Sequence, residues 1–146
     1  MVNHIILHCF YGAYNIIRIQ APSVRFYNPF VASIIIGLFW VFWHLPLFFV
    51  EMSSQYGLPI GWYTINGMAL SIIFTWLYIK SNNSTLLAII LHGGINAAFA
   101  YYPGLADIET GLGTISYYAP ITIGSWILAL ILLIVYRKLF FKARLD

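Results

Sequence analysis

Pro29-Phe-Val-Ala-Ser-Ile-Ile-Ile-Gly-Leu-Phe-Trp-Val-Phe-Trp-His44-Leu-Pro46-Leu-Phe-Phe-Val50 contains no Asp, Glu, Lys or Arg. It exceeds the roughly 20 apolar residues that carry a helix across a bilayer. Asn28 and Pro29 suit its start, since an Asn side chain accepts from the first unpaired backbone N–H groups and Pro at the first helical position gives up an N–H that has no partner there. Glu51 ends it. Outward from this stretch the pattern repeats. A second span is expected over about 62–79, after the breakers Gly57, Pro59 and Gly61 and before Lys80 and the polar run Ser81 to Ser84. A third covers about 85–102 and stops at Pro103-Gly104. A loop with Asp107, Glu109, Gly111 and Gly113 then leads to a fourth, about 119–136, and to the basic tail of Arg137, Lys138, Lys142 and Arg144.

The composition agrees with lipid as the solvent, for 62% of the residues are hydrophobic and only 8% are charged, too few to cover a water-soluble fold. The expected fold is therefore all-α, a polytopic bundle of about four transmembrane helices. The net charge of +3 comes from basic residues beside apolar spans and not from a stripe, which excludes a nucleic-acid partner. Membrane lipid is the expected surrounding. Cys9 is the single cysteine, so the chain has neither an internal disulfide nor a cysteine-rich metal site. Arg18, Arg25, Lys80 and the four basic tail residues fall on one side of the four crossings, while Glu51, Asp107 and Glu109 fall on the other. Because Lys and Arg are retained inside, both termini are expected to be cytoplasmic in a multi-pass protein of the cell membrane. Asn82-Asn83-Ser84-Thr85 then reads as a polar turn and helix cap. Residues 1–27 are an irregular segment, neither a signal peptide nor a clean span. Residues 28–146 form one transmembrane domain.

Ionisable groups inside spans are where chemistry is to be sought, because they are costly in lipid and face interior cavities. They are His44 and His92. Trp40 lies one turn before His44 on the same face, and Pro46 removes the backbone bond to the carbonyl of Phe42, so a kink and a freed carbonyl are expected. In Leu91-His92-Gly93-Gly94-Ile95-Asn96-Ala97-Ala98, His92 and Asn96 are four apart and share a helical face. Gly93 with Ala97, and Gly94 with Ala98, make small-xxx-small pairs at which another helix is expected to approach closely. Taken alone, each histidine also suits an interhelical hydrogen bond. Two of them favour one shared site at His44, His92 and Asn96.

These residues resemble the CPBP intramembrane proteases, the Abi or CAAX protease family, which includes type II CAAX prenyl endopeptidases and bacteriocin self-immunity proteins. The resemblance covers about 18–99. Asn28-Pro29-Phe30-Val31-Ala32-Ser33 running into Trp43-His44-Leu45-Pro46-Leu47-Phe48 is similar to the family's second motif and its approach, and His92-Gly-Gly-Ile-Asn96 to its third. Where the family usually has Phe four residues before the second-motif histidine, this chain has Trp40. The first motif, a Glu-Glu pair with Arg four residues on, has no counterpart: no acidic residue precedes Glu51, and the pair would align near Leu7 and His8. The chain therefore resembles a truncated or degenerate member.

That resemblance implies an intramembrane endopeptidase acting on membrane-associated peptides or proteins, of the CAAX-processing or self-immunity type, with the glutamate that activates water missing. His44, His92 and Asn96 are the implied catalytic residues, and His44 and His92 are implied ligands if zinc takes part, since two His and one Glu match a catalytic zinc site. Glu51 is a poor substitute base, lying about 10 Å along a helix beyond His44. His8 is the residue that could stand in. A non-catalytic interaction or immunity protein, or a gene fragment, is the alternative, and a bis-histidine haem protein a remote one. Counting along the helices, His92 is about 11 Å from the start of its span and His44 about 22 Å from Pro29, so the first span must overhang the level of Lys80 if the two histidines are to meet.

Overall fold

The computed structural model of the chain describes residues 27–51, 53, 55–101 and 111–142. The segment 1–26, with His8, Arg18 and Arg25, and the loop acids Asp107 and Glu109 lie outside the described residues. The regular structure of the described residues is all helical: α1 (Pro29–His44), a 3-10 segment (Leu45–Phe49), α2 (Ile60–Lys80), α3 (Thr85–Tyr101), α4 (Gly111–Val135) and the short α5 (Arg137–Phe141).

Three helical stretches are long and apolar enough to cross a membrane, Pro29–Phe49, Ile60–Lys80 and Tyr118–Val135; the apolar part of α3, Thr85–Ala97, is shorter. The exposed side chains are what a lipid-facing surface requires, with Phe42 at 71% and Ile134 at 72% exposure. Helix ends follow the local chemistry of the sequence. Asn28 Oδ1 accepts from the Val31 N–H at 2.9 Å, with Pro29 as the first helical residue. At the far end of α2, Asn82 and Asn83 take φ of 56° and 63°, a left-handed conformation that Asn tolerates, and Asn83 N–H donates back to Tyr78 O at 2.8 Å. The polar run is thus a turn and a cap.

α2 is the axis, packed against α1, α3 and α4. Between helices in lipid the association comes from close van der Waals fit and from hydrogen bonds. Both occur here. Ser71 Oγ donates to Ser33 O at 2.6 Å across the α1–α2 contact, and Trp126 Nε1 donates to Ile65 O at 3.0 Å from α4 to α2. The expected close approach at Gly93 and Gly94 is not observed among the described residues, where a Cβ at either meets nothing within 4 Å. The close approach is at Gly37 and Gly67 instead, where an added Cβ would stand 2.8 Å from Met68 Sδ and 3.0 Å from Val41 Cγ2. The small-xxx-small spacing licenses a seam without choosing one, and here α1, not a partner of α3, lies against α2.

α1 does overhang. Its first turn packs on α5, with the Phe30 and Phe141 rings 5.1 Å apart and Phe140 fully buried, while Lys80 lies over Tyr136, the residue just before α5. The extra length below Lys80 is covered by the tail helix, and the upper end of α1 therefore reaches the level of the site.

Candidate active site

His44 is the last residue of α1. Pro46 cannot donate to the carbonyl of Phe42, so the chain tightens: Leu45 N–H takes that carbonyl, and 3-10 geometry runs on to Phe49. The carbonyl expected to be freed is thereby satisfied. The same tightening sets the imidazole back over its own helix, with His44 Nδ1 2.8 Å from Trp40 O. A carbonyl only accepts, so Nδ1 carries the proton and the lone pair of the neutral ring is on Nε2.

His92 enters from α3 and is 5% exposed. Its ring lies 5.7 Å from that of Trp40, edge-on at 61°, and 6.1 Å from Phe74 of α2. His44 meets the same indole at 5.4 Å and 88°. Two histidines 48 positions apart in sequence thus flank one tryptophan. Asn96, one turn beyond His92, is half-buried.

Tyr63 completes the wall. Its ring is 6.0 Å from His44, 6.4 Å from Trp40 and 5.1 Å from Phe48, and its hydroxyl is hydrogen-bonded to the Gln55 side chain. Tyr63 does not stand out in the sequence; the signal it carries there is an aromatic with a polar tip in the first turn of a helix entered through Gly57 and Pro59. Asn66 does not stand out either. It is 5% exposed, and its Oδ1, like Trp40 Nε1, has no hydrogen-bond partner among the described residues. Glu51 sits exposed in the turn beyond the 3-10 segment, as a span terminator would.

The arrangement gathers two imidazoles and a phenol around the Trp40 indole, between α1, α2 and α3. It can orient a water or a carbonyl oxygen. A catalytic zinc takes three protein ligands, and among the described residues no cluster of three His, Cys, Asp or Glu side chains is found. The histidine pair as described does not fit that metal.

Against known proteins, the model of a family described as Type II CAAX prenyl endopeptidase Rce1-like matches residues 5–98, a range that holds His44, His92 and Asn96. The CAAX prenyl protease 2 of Methanococcus maripaludis is 40% identical over 95 residues, which cover 59% of this chain and 35% of that protein. The chain spans about a third of the length of the curated relative it matches. No solved structure matches it.

Proposed function

The chain belongs to the Type II CAAX prenyl endopeptidase Rce1-like family, and from that premise we propose that α1, α2 and α3 form the peptide-holding part of an intramembrane CAAX-type endopeptidase site. His44 and His92 orient the peptide carbonyl or the attacking water, and Asn96 donates to the oxygen on which negative charge develops. One observation carries this reading: His44 and His92, from different helices, stand 5.4 Å and 5.7 Å from the same indole. A histidine placed only for helix packing needs no second histidine against its neighbour.

Among the described residues the one carboxylate, Glu51, is exposed in the turn beyond the 3-10 segment, so the role proposed for these residues is to hold a prenylated peptide. That favours the non-catalytic binding role over a working protease. The test is equilibrium binding of a fluorescent farnesylated CAAX peptide to the detergent-solubilised protein. Each of His92→Ala and Asn96→Ala is expected to weaken binding about tenfold, the worth of one hydrogen bond of about 1.4 kcal/mol. Unchanged binding in both variants would place the peptide elsewhere.

The proposed location is the cell membrane, with the Lys80 end cytoplasmic, because the basic residues lie at that end of the spans. Cysteine probes check it: a membrane-impermeant thiol reagent added outside is expected to label Asp107→Cys and to spare Asn82→Cys. The reverse pattern inverts the topology.

A further inference from the structure

At the end of the bundle away from the histidines, Lys80 is brought to the tail segment that carries three more cations. Lys80 ends α2, while Arg137, Lys138 and Lys142 lie on or just after α5, and all four are exposed. The fold joins them through Tyr136. That residue is the joint between α4 and α5, and Lys80 Nζ lies 5.0 Å from its ring centroid, with Trp76 5.6 Å from the ring. α5 turns under the bundle so that Phe140 is fully buried and Phe141 stacks on Phe30, which leaves Arg137 and Lys138 facing out. No acidic residue is among the described residues at this end; Glu51, the one described acid, lies at the opposite end of the bundle. The 21 residues of α2 put the two ends about 30 Å apart, several screening lengths.

Among the described residues no acid neutralises these four cations, which lie around aromatic rings at the mouth of three spans. The level is that of a lipid headgroup, since Trp and Tyr settle at the boundary between acyl chains and water. We infer that the collar of Lys80, Tyr136, Arg137 and Lys138 is a binding site for the phosphate of an anionic phospholipid. Lys80 supplies the charge from α2, and the tail helix supplies the rest. Held on the Tyr136 ring, the ammonium group is kept near Arg137 instead of sweeping through water, so less side-chain freedom is lost when the phosphate arrives.

Native mass spectrometry of the full chain in a neutral detergent tests this with phosphatidylglycerol and phosphatidylcholine as probes. Phosphatidylglycerol is expected to be retained selectively. Lys80→Gln and Arg137→Gln are each expected to weaken retention about fivefold, the factor that one cation is worth at an anionic surface, and Glu51→Gln to leave it unchanged. Lys80→Arg, which keeps the charge, is expected to bind as the parent does, and this holds the test open if the glutamine variant folds poorly. Equal retention of the two lipids, or indifference to both glutamine substitutions, overturns the inference. Displacement of the lipid by millimolar inorganic phosphate also overturns it, in favour of a free anion.

Discussion

Purified in detergent as the 146-residue chain, the protein is expected to leave a quenched, prenylated CAAX peptide uncut at the rate of buffer alone. Hydrolysis requires a proton to leave the attacking water, and general-base assistance is worth about 10² to 10⁴ in rate. His44 Nδ1 donates to Trp40 O, and this fixes its ring as an orienting group whose Nε2 can accept a hydrogen bond. Among the described residues no group of three His, Cys, Asp or Glu side chains is found. Glu51 is exposed beyond the 3-10 segment. His8, outside the described residues, is the candidate substitute base, and one experiment decides its role. Cleavage by the parent protein that is lost in His44→Ala, His92→Ala and His8→Ala alike would show that His8 has taken the place of a glutamate. Cleavage lost only with His44 and His92 would call for a different base. Peptide binding that survives without cleavage is the expected result, and it separates the holding role of the site from the chemistry.

How much of this was legible in the sequence depended on whether a feature is written in one segment or between two. The cap at Asn28-Pro29, the polar turn at Asn82-Asn83 and the end of α1 near Pro46 are local, set by side-chain oxygens and missing N–H groups within a few residues. The spans are local too, because lipid requires about 20 apolar residues in a row. That His44 and His92 stand against one indole agrees with their being at one level, which was expected only on the condition that α1 overhang Lys80. What covers the overhang, α5 packed on Phe30, could not be read from Arg137-Lys-Leu-Phe-Phe141, which looks like a basic tail. Tyr63 escaped notice because its importance comes from which face of α2 meets the end of α1. An apolar helix with polar residues scattered along it does not announce that face. The same holds for the glycine seam, and there the structure reverses the expectation.

Gly37→Leu is therefore expected to damage the protein far more than Gly93→Leu, although the sequence pattern around Gly93 is the better-known packing signal. At Gly37 an added Cβ would stand 2.8 Å from Met68 Sδ, 3.1 Å from Ser71 Cβ and 3.4 Å from Met68 Cα. The thioether can swing aside. The backbone of α2 and the Ser71 Cβ cannot, since Ser71 is 4% exposed and its hydroxyl is tied to Ser33 O on α1 at 2.6 Å. A leucine there pushes α1 and α2 apart and stretches that bond. Overpacking of this kind costs about 1 to 3 kcal/mol, which lowers a melting temperature by about 2 to 12 °C in a chain of this size. The site feels it as well, because His44 is seven residues, or about 10 Å, farther along α1, and a tilt at Gly37 moves the imidazole relative to His92. Farnesylated-peptide binding is then expected to fall along with stability. Gly37→Ala separates the two effects: with only a methyl added, and Met68 yielding, it is expected to lose less stability and to keep most of the binding. At Gly93, by contrast, no described residue lies within 4 Å of the added Cβ, so Gly93→Leu is expected to stay within about 0.5 kcal/mol of the parent, as substitutions at open positions do. Thermal unfolding of the three variants in one detergent is the measurement. A lower melting temperature for Gly93→Leu than for Gly37→Leu would mean that the close seam lies on α3 after all, and that α1 reaches the site by some other packing.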